Sequence, residues 1–293
     1  MSKRLTALSI AVAGTVACAG PSAVQPEPVQ ADSTAVQPAA PGPDRSNAVK
    51  SEPAGPASST GPLQLDPAKL VDLTHPMHPE MAFWPGGVPF AMTRLVDYDK
   101  GYRLHKFEMG ENTGTHMDAP SHFVPGKRSI EAIPLSDLFV HAAVIDVRDR
   151  VAKNPNYQLT VADVVAWEAV HGKIAAGSLV ILNTGWHARY GDPAKYINMD
   201  ESKTMHFPGF ARESAELLVQ RDVAGIGIDT LSLDYGPSKD FITHQVMLRA
   251  NKYQIENMAN LDILPPTGAL VIIGVLPVKD GSQAQARIFA ILP

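Results

Sequence analysis

The sequence contains little cysteine and has no excess of positive charge, and both absences exclude classes of protein. Its single cysteine, Cys18, cannot form an intramolecular disulfide, and it rules out zinc fingers that use cysteine ligands. The 25 Lys and Arg residues against 30 Asp and Glu give a formal net charge of -5, so we expect no nucleic-acid partner. With 45% apolar and 19% charged residues among 293, collagen, coiled-coil and wholly disordered chains are excluded.

Residues 1–18 have the layout of a bacterial secretory signal. Lys3 and Arg4 precede an apolar run over residues 5–16, and small residues follow. The run is too short to span a bilayer. Residues 15–18 resemble a lipobox, in which the cysteine is lipidated, although Thr15 stands where an aliphatic residue is usual. We therefore favour a lipoprotein over a freely exported protein, and both over a cytosolic chain with an apolar start by chance.

Residues 19–62 are typical of a disordered tether. The segment contains no Phe, Trp or Tyr and is dominated by Pro, Ala, Ser, Gly and Gln, so it cannot bury enough apolar surface to offset its ordering entropy. Its nine prolines favour an extended, semi-stiff spacer. We therefore expect an exported, periplasmic or cell-envelope lipoprotein that contacts the membrane only through its lipidated N-terminus. Its folded body would cover residues 63–293.

Alternating apolar runs and helix-like stretches in the body predict an α/β fold. Five runs rich in β-branched residues are candidate strands, several of them apolar enough to be buried on both faces: residues 90–96, 142–147, 178–183, 224–229 and 269–276. Residues 160–170, with Thr160 as N-cap and Asp163 three residues later, and residues 209–220 have helical spacing. We therefore predict a single α/β domain around a mixed β-sheet or a barrel-like core.

The most informative polar motif covers residues 111–123, ENTGTHMDAPSHF. In an extended strand, side chains two residues apart lie on the same side, so His116, Asp118 and His122 would share one wall of a pocket. Pro120 favours extended geometry in the residue before it. Imidazole and carboxylate together suit Zn, Mn or Fe, so the motif predicts a metal site. The alternative is a polar strand end with surface histidines.

A second candidate pair, His244 and Glu256, lies far along the chain. On one continuous helix, their separation of twelve residues would place them about 120° apart. They converge only if the chain breaks between them, through residues 252–255, before a short helix opens at Glu256. A carboxylate in the first turn of a helix is also simply a favourable cap, so a structural role stays open.

Together these motifs resemble the cyclase family of metal-dependent hydrolases, which includes bacterial kynurenine formamidase and isatin hydrolase. Residues 112–122 are similar to the family signature His-x-Gly-Thr-His-x-Asp-x-Pro-x-His. Other segments that resemble the family lie at residues 71–76, 83–86, 207–210 and 225–232. The similarity covers roughly residues 70–292, and it implies a fold of the swivelling β/β/α type.

The resemblance implies roles for individual residues. His116, Asp118 and Glu256 would be metal ligands, with Asp118 and Glu256 bridging where two ions are present. His244 would serve the second ion, and His122 would transfer protons. The implied cofactor is a divalent metal, Zn or Mn, at one or two ions per chain. The implied assembly is a homodimer or a larger homo-oligomer.

Two further residues complete the implied site. Trp84 would line the substrate pocket. Asn112 stands where the family signature has its first histidine, which is normally a ligand of the first metal. Because an amide is a poorer ligand for zinc than imidazole but suits Mn or Mg better, we expect a first site that is weakened or altered in its metal preference. Asn112 therefore remains a candidate ligand, and the other donors suffice for one site with an open position for water.

These ligands predict carbonyl hydrolysis. A divalent ion lowers the pKa of its bound water to about 7 and polarises a carbonyl, so a metal-bound hydroxide would attack an amide, an N-formyl amine, a cyclic amide or a lactone. His122 would act as general acid and base. We therefore expect a metal-dependent amidohydrolase that resembles arylformamidase and acts on a small-molecule carbonyl substrate.

Two alternatives remain for the function. A Ser-His-Asp hydrolase is disfavoured because the sequence has no Gly-x-Ser-x-Gly turn. The stronger alternative is an exported, non-catalytic metal- or ligand-binding protein on the same fold, with its first metal site weakened by Asn112. His122 favours the enzyme, because binding alone needs no proton shuttle beside the metal.

Overall fold

Strands outnumber α-helices in the computed structural model, which describes residues 65–293. The strands are β1 (Leu70–Asp72), β2 (Ala91–Val96), β3 (Leu104–Glu108), β4 (His116–Asp118), β5 (Phe139–Asp146), β6 (Gln158–Leu159), β7 (Leu179–Asn183), β8 (Gly209–Phe210), β9 (Gly225–Ile228), β10 (Tyr253–Glu256), β11 (Leu270–Val275) and β12 (Gln283–Ile291). The helices are α1 (Arg148–Val151), α2 (Val161–His171), α3 (Pro193–Ile197), α4 (Arg212–Gln220) and α5 (Ile242–Arg249).

The predicted signal at residues 1–18 and the predicted tether at residues 19–62 lie outside the described residues. Within residues 65–293, no helix is both long enough and apolar enough to cross a bilayer.

Seven strands close into a barrel in the order β4, β12, β11, β5, β7, β9, β10 and back to β4. Neighbouring strands from β5 through β7 and β9 to β10 are parallel, and the other pairs around the barrel are antiparallel. β1 adds to the sheet beside β12. Closure gives every barrel strand a neighbour on both sides, which removes free edges. The predicted α/β domain with a mixed, barrel-like core is confirmed.

Successive side chains of the barrel strands point alternately to the inside and the outside of the barrel, so the apolar side chains belong to two separate cores. In β7, Leu179 and Ile181 belong to one buried cluster, whereas Val180 and Leu182 belong to the other. The first cluster contains residues of six barrel strands and therefore fills the interior. The second cluster includes residues of α2, α4 and α5, so it lies between the outside of the barrel and the helices.

Glycine occupies the two inward positions of β9. A Cβ on Gly225 would lie 2.5 Å from the ring of Tyr253 in β10, and a Cβ on Gly227 would lie 2.6 Å from the sulfur of Met258. Atoms in a close-packed interior do not approach this closely. Tyr253 in β10 and Met258, which follows β10, therefore occupy the space that the two glycines leave free inside the barrel.

Most of the predicted elements are present. Four candidate strands correspond to β5, β7, β9 and β11, and α2 begins with a capping box between Thr160 and Asp163. Ala91–Val96 forms β2, but this strand pairs only with β3 and is almost entirely exposed. Burial on both faces holds for β7 and β9 and for most of β5, whereas in β11 buried residues alternate with partly exposed ones. The helix predicted from residue 209 begins at Arg212, because Gly209–Phe210 pairs with β6 as β8.

Candidate metal centre

β4 directs two polar residues to the outside of the barrel. Met117 points into the interior core, so His116 and Asp118 on either side of it face outwards. In the neighbouring strands, Glu256 of β10 lies opposite His116, and Gln283 of β12 lies opposite Asp118. The outer face of three adjacent strands thus forms the floor of the site.

The extended stretch predicted over residues 111–123 is shorter than expected, which corrects part of the sequence interpretation. Only His116–Asp118 is a strand. Turns and bends cover residues 111–115, with Gly114 at a φ of +71°, and Pro120–His122 forms a 3-10 turn. His122 therefore reaches the site from a turn after the strand, and Asn112 reaches it from a turn before the strand, rather than through shared strand parity.

His244 and Glu256 also converge by a route that differs from the prediction. α5 carries His244 and ends at Arg249, and the chain turns over residues 250–252 before β10 begins. The break therefore comes earlier than the predicted residues 252–255. Glu256 is the last residue of a strand rather than the first of a helix, so a role as a helix cap is excluded for it.

Two imidazoles and two carboxylates form a closed ring at the site. His116 Nε2 lies 3.4 Å from Asp118 Oδ1 and 3.3 Å from Glu256 Oε2. His244 Nε2 lies 3.3 Å from Asp118 Oδ2 and 3.2 Å from Glu256 Oε1. Each carboxylate offers one oxygen to each imidazole, so both carboxylates lie between two possible ion positions.

The donors in this ring fit a bound cation. Ligand atoms of His116, Asp118 and Glu256 lie within 4.8 Å of one another, as do those of Asp118, His122 and His244. Among residues 65–293, His116 Nε2 and Asp118 Oδ2 are buried without a hydrogen-bond partner. Because buried polar atoms are normally paired, these two atoms indicate a position that fits a bound ion. Imidazole nitrogen and carboxylate oxygen are donors that Zn and Mn accept.

Contacts around the ring hold both imidazoles in one orientation. His244 Nδ1 lies 2.6 Å from Asp234 Oδ2, and His116 Nδ1 lies 2.8 Å from the carbonyl oxygen of Gly114. An oxygen acceptor requires a proton on Nδ1. Each imidazole can therefore offer the lone pair of Nε2 to an ion at the centre of the ring. Gln283 donates a 2.7 Å hydrogen bond from Nε2 to Asp118 Oδ1.

Electrostatics show that the ring requires positive charge. Burial by itself would lower the pKa of His116, but the carboxylates of Asp118 and Glu256 raise it to about 10. Burial also opposes a raised pKa at His244, but Asp118 and Asp234 bring its pKa well above the usual value. The pKa of Asp118 is held well below its usual range because the two imidazoles outweigh the effect of burial. A divalent ion would replace the protons that these imidazoles hold.

His122 differs from the two imidazoles in the ring. Burial lowers the pKa of His122, the carboxylate of Asp118 opposes this effect, and positive charge on His244 adds to it, so that the pKa lies below the usual value. The His122 ring is only partly buried, and its centroid lies 6.0 Å from that of His244. A partly buried imidazole that is neutral near pH 7 is suited to accepting a proton.

Two members of the ring, His244 and Glu256, line a cavity of about 220 Å³. Trp84, Phe123 and Phe241 give this cavity aromatic walls, with ring centroids 6.0 Å apart for Trp84 and Phe241 and 5.9 Å apart for Phe123 and Phe241. The lining residues are Trp84, Asn112, His122, Phe123, Leu231, Ser232, Phe241, His244, Glu256 and Gln283. The structure thus brings the seven predicted site residues to one place.

Sequence reasoning missed two kinds of contact at this site. Gln283 contacts Asp118 from 165 residues further along the chain, and Asp234 contacts His244 from ten residues earlier, and neither Gln283 nor Asp234 belongs to a motif identified in the sequence. Phe123 and Phe241 supply aromatic walls beside the predicted Trp84. Phe123 directly follows His122, so the motif contained a signal for it.

Comparisons with known proteins agree with this geometry. The model of the putative cyclase family matches residues 71–235. Isatin hydrolase of Roseibium aggregatum is 34% identical over 211 residues, which cover 68% of this chain and 80% of the relative. Kynurenine formamidase of Paracidovorax citrulli is 25% identical over 77% of this chain and 97% of the relative.

A solved structure extends the agreement to the fold. Isatin hydrolase A from Ralstonia solanacearum superimposes with a TM-score of 0.73 at 34% identity, covering 81% of this chain and 100% of that one. The resemblance seen in the sequence motifs is therefore confirmed. The chain belongs to the putative cyclase family, alongside isatin hydrolases and kynurenine formamidases.

Proposed function

We propose that the protein is a metal-dependent hydrolase that opens a cyclic amide fused to an aromatic ring by cleaving its carbon–nitrogen bond. The observation that carries this proposal is the buried ring of two imidazoles and two carboxylates in the wall of an aromatic-lined cavity. The isatin hydrolase relatives support a cyclic amide, and the more distant kynurenine formamidase supports amide hydrolysis in general. N-formyl arylamines and lactones are therefore the next substrates to test.

The four ring residues would hold the metal. His116, Asp118 and Glu256 surround one position, and Asp118, Glu256 and His244 surround the other, so the two carboxylates are shared. Zn and Mn are the ions that this mixture of nitrogen and oxygen donors favours. When bound, the metal polarises the substrate carbonyl and lowers the pKa of water, which supplies the nucleophile.

The residues of the chain position the substrate and move the proton. A cavity of about 220 Å³ is smaller than the roughly 300–1,000 Å³ of sites for drug-sized ligands, and it suits a substrate of one or two rings. Trp84, Phe123 and Phe241 would hold this flat substrate by stacking. His122 would take the proton of the attacking water and give it to the leaving nitrogen, as the carbon–oxygen bond forms and the carbon–nitrogen bond breaks. The product is a single ring-opened molecule that carries one carboxylate and one amine.

The number of tightly bound ions that we propose depends on Asn112. It lines the cavity but offers only an amide where the family signature has imidazole. We therefore propose one tightly held ion and one weaker position, which is the first metal site, where the family signature has its additional histidine. In an Asn112→His variant, the added imidazole should strengthen the weaker position, and zinc should benefit more than manganese.

The experiment that tests the function uses the full chain, purified without chelator. Elemental mass spectrometry counts Zn and Mn per chain, and absorbance assays follow hydrolysis of isatin, N-formylkynurenine and a simple lactone. We expect at least one ion per chain, fastest turnover of isatin, and a higher zinc content in Asn112→His. Metal without turnover of any substrate would favour the non-catalytic binding protein. No metal and no turnover after addition of Zn or Mn would overturn the proposal.

Export, lipidation at Cys18 and assembly into a homodimer or larger homo-oligomer stay predictions from the sequence. We propose that the enzyme works in the periplasm or on the cell envelope. The support for this is the basic, apolar and small-residue order of residues 1–18 followed by the proline-rich segment.

A further inference from the structure

The residue that follows Glu256 makes an unusual set of contacts. Asn257 is buried, with 2% of its surface exposed, and it adopts the left-handed conformation with a φ of +55°. Asparagine tolerates this conformation better than other non-glycine residues. Its backbone leaves the direction of β10 at this point, so the side chain of Asn257 turns towards β4.

The amide of Asn257 bridges the two strands that carry the proposed ligands. Its Nδ2 donates a 3.0 Å hydrogen bond to the carbonyl oxygen of Gly114, and its Oδ1 accepts a 2.9 Å hydrogen bond from the hydroxyl of Tyr196. The backbone carbonyl of Asn257 accepts a 2.6 Å hydrogen bond from Thr115 Oγ1. The paired residues of β4 and β10 end at His116 and Glu256, so these contacts continue the connection beyond the last pair.

The Gly114 carbonyl links Asn257 to the metal site. It receives His116 Nδ1 at 2.8 Å as well as Asn257 Nδ2 at 3.0 Å, which uses both lone pairs of the oxygen. Gly114 itself has a φ of +71°, and its peptide is therefore held in a turn rather than in the strand. The orientation of this one carbonyl decides where His116 Nε2 points.

We infer that Asn257 is a positioning residue for the metal: its amide fixes the Gly114 carbonyl that orients His116, and thereby couples His116 to Glu256 on the neighbouring strand. This inference rests on the metal site of the proposed function. Hydrogen bonds through Asn257 thus link His116 and Glu256 in addition to the pairing of their strands. The hydroxyl of Tyr196 holds the amide from the other side and lies 2.8 Å from the carbonyl oxygen of Asp229.

The test compares metal binding in two matched variants of the full chain. Asn257→Gly removes the amide and keeps the left-handed backbone free of strain, because glycine adopts positive φ readily. Asn260→Gly is the control: Asn260 is also left-handed, with a φ of +54°, but it is exposed and its amide donates to the Asp72 carbonyl away from the ring. Metal-free protein is titrated with Co²⁺, and the visible absorption bands report both affinity and geometry.

We expect Asn257→Gly to bind Co²⁺ about 10–100-fold more weakly, with altered visible bands, and Asn260→Gly to match the wild type. Thermal unfolding of the metal-free proteins shows whether a loss of affinity follows a loss of fold. If Asn257→Gly does not fold, Tyr196→Phe replaces it, since it keeps the buried ring and removes the hydroxyl that contacts both Asn257 and the Asp229 carbonyl. For this variant we expect Co²⁺ binding about fivefold weaker than in the wild type.

Two results would overturn the inference, and they differ in what they say about the proposed function. If the wild type binds Co²⁺ and Asn257→Gly, or Tyr196→Phe in its place, has the same affinity and the same spectrum, only the role of Asn257 is lost. If the wild type binds none of Co²⁺, Zn²⁺ and Mn²⁺, the proposed function is lost together with the inference.

Discussion

Two antiparallel strand pairs in this molecule have opposite surroundings. β4 and β10 pair with each other in the wall of the barrel, and all seven of their residues are buried. β2 and β3 form a hairpin that pairs with no other strand, and nine of their eleven residues are exposed. The first pair carries His116, Asp118 and Glu256, whereas the second carries no residue of the site.

The number of neighbours explains this difference. β4 lies between β10 and β12, so its backbone is paired on both sides and its side chains are covered on both faces. Phe90, which precedes β2, belongs to the buried cluster beside the helices and contacts Phe107 of β3. A two-stranded hairpin by itself is marginally stable. The proposed metal ligands, which would have to be placed to within about half an ångström, therefore lie where the structure fixes them from several sides.

The largest expected effect comes from removing the carboxylate shared by both imidazoles. Asp118→Ala should lose bound metal and reduce turnover to background, because Asp118 contacts both His116 and His244. Elemental mass spectrometry and the isatin assay measure the two losses. The matched control is Asp97→Ala, which removes the aspartate that pairs with Arg94 and Arg103 at the hairpin. Metal and turnover that survive in Asp118→Ala would contradict the proposed centre.

The second expected effect separates metal binding from catalysis within the same site. His122→Gln should keep its metal and lose about 10²–10⁴-fold in kcat, since a general acid and base contributes that much. Metal content and steady-state kinetics on one preparation distinguish the two roles. His105→Gln in the hairpin is the control and should leave kcat unchanged, because His105 does not line the cavity. A His122→Gln enzyme with full kcat would remove His122 from the mechanism.

The same contrast explains what the sequence could predict. β5, β7, β9 and β11 are barrel strands whose apolar runs are nearly continuous, and this signal is local. The run at residues 90–96 has similar composition, yet its exposure depends on lacking a third strand, which the local sequence does not encode. Likewise, β12 closes the barrel by pairing with β4, and Gln283 reaches Asp118 across 165 residues of chain.

The structure brings the predicted site residues together, but not on the backbone that the sequence predicts. Residue type and spacing single out His116, Asp118 and His122, and the three side chains do lie close together, although the shared-parity argument is wrong for His122. A 3-10 turn and a strand can both place an imidazole near one carboxylate. The prediction that His122 lies near Asp118 is therefore correct, although the predicted conformation of the chain between them is wrong. Asp234 has no such motif, because its importance arises only from folding against His244.

A matched pair of leucines tests whether the two regions differ in stability as well as in function. Leu182 in β7 is 0% exposed, whereas Leu104 in β3 is 45% exposed. Leu182→Ala should lower the free energy of unfolding by about 2–5 kcal/mol, because it removes buried methyl groups and leaves a cavity. Leu104→Ala should change it by less than about 0.5 kcal/mol. Urea unfolding measures both, and equal losses would mean that the hairpin is covered in solution.

The smallest expected effect depends on pH and again contrasts two histidines. His187 lies between Asp229 Oδ2, at 3.1 Å from Nδ1, and Asp262 Oδ1, at 3.2 Å from Nε2. Burial opposes protonation, but these carboxylates, with Asp229 first, raise the pKa of His187 above its usual value. Because the folded pKa exceeds the unfolded value of about 6.5, the stabilisation is fully present below pH 6.5 and is lost as the pH rises through the folded value.

His187→Gln should therefore cost about 1 kcal/mol of unfolding free energy at pH 6 and less at pH 9, as measured by urea unfolding at both pH values. The uncharged hydrogen bonds lost in the variant are lost at either pH, so the difference between the two losses isolates the contribution of charge. His105→Gln again serves as the control, because His105 makes no ion pair within residues 65–293. A loss in His187→Gln that is the same at pH 6 and pH 9 would mean that His187 is neutral in the folded protein and acts only as a hydrogen-bonding bridge between its two aspartates.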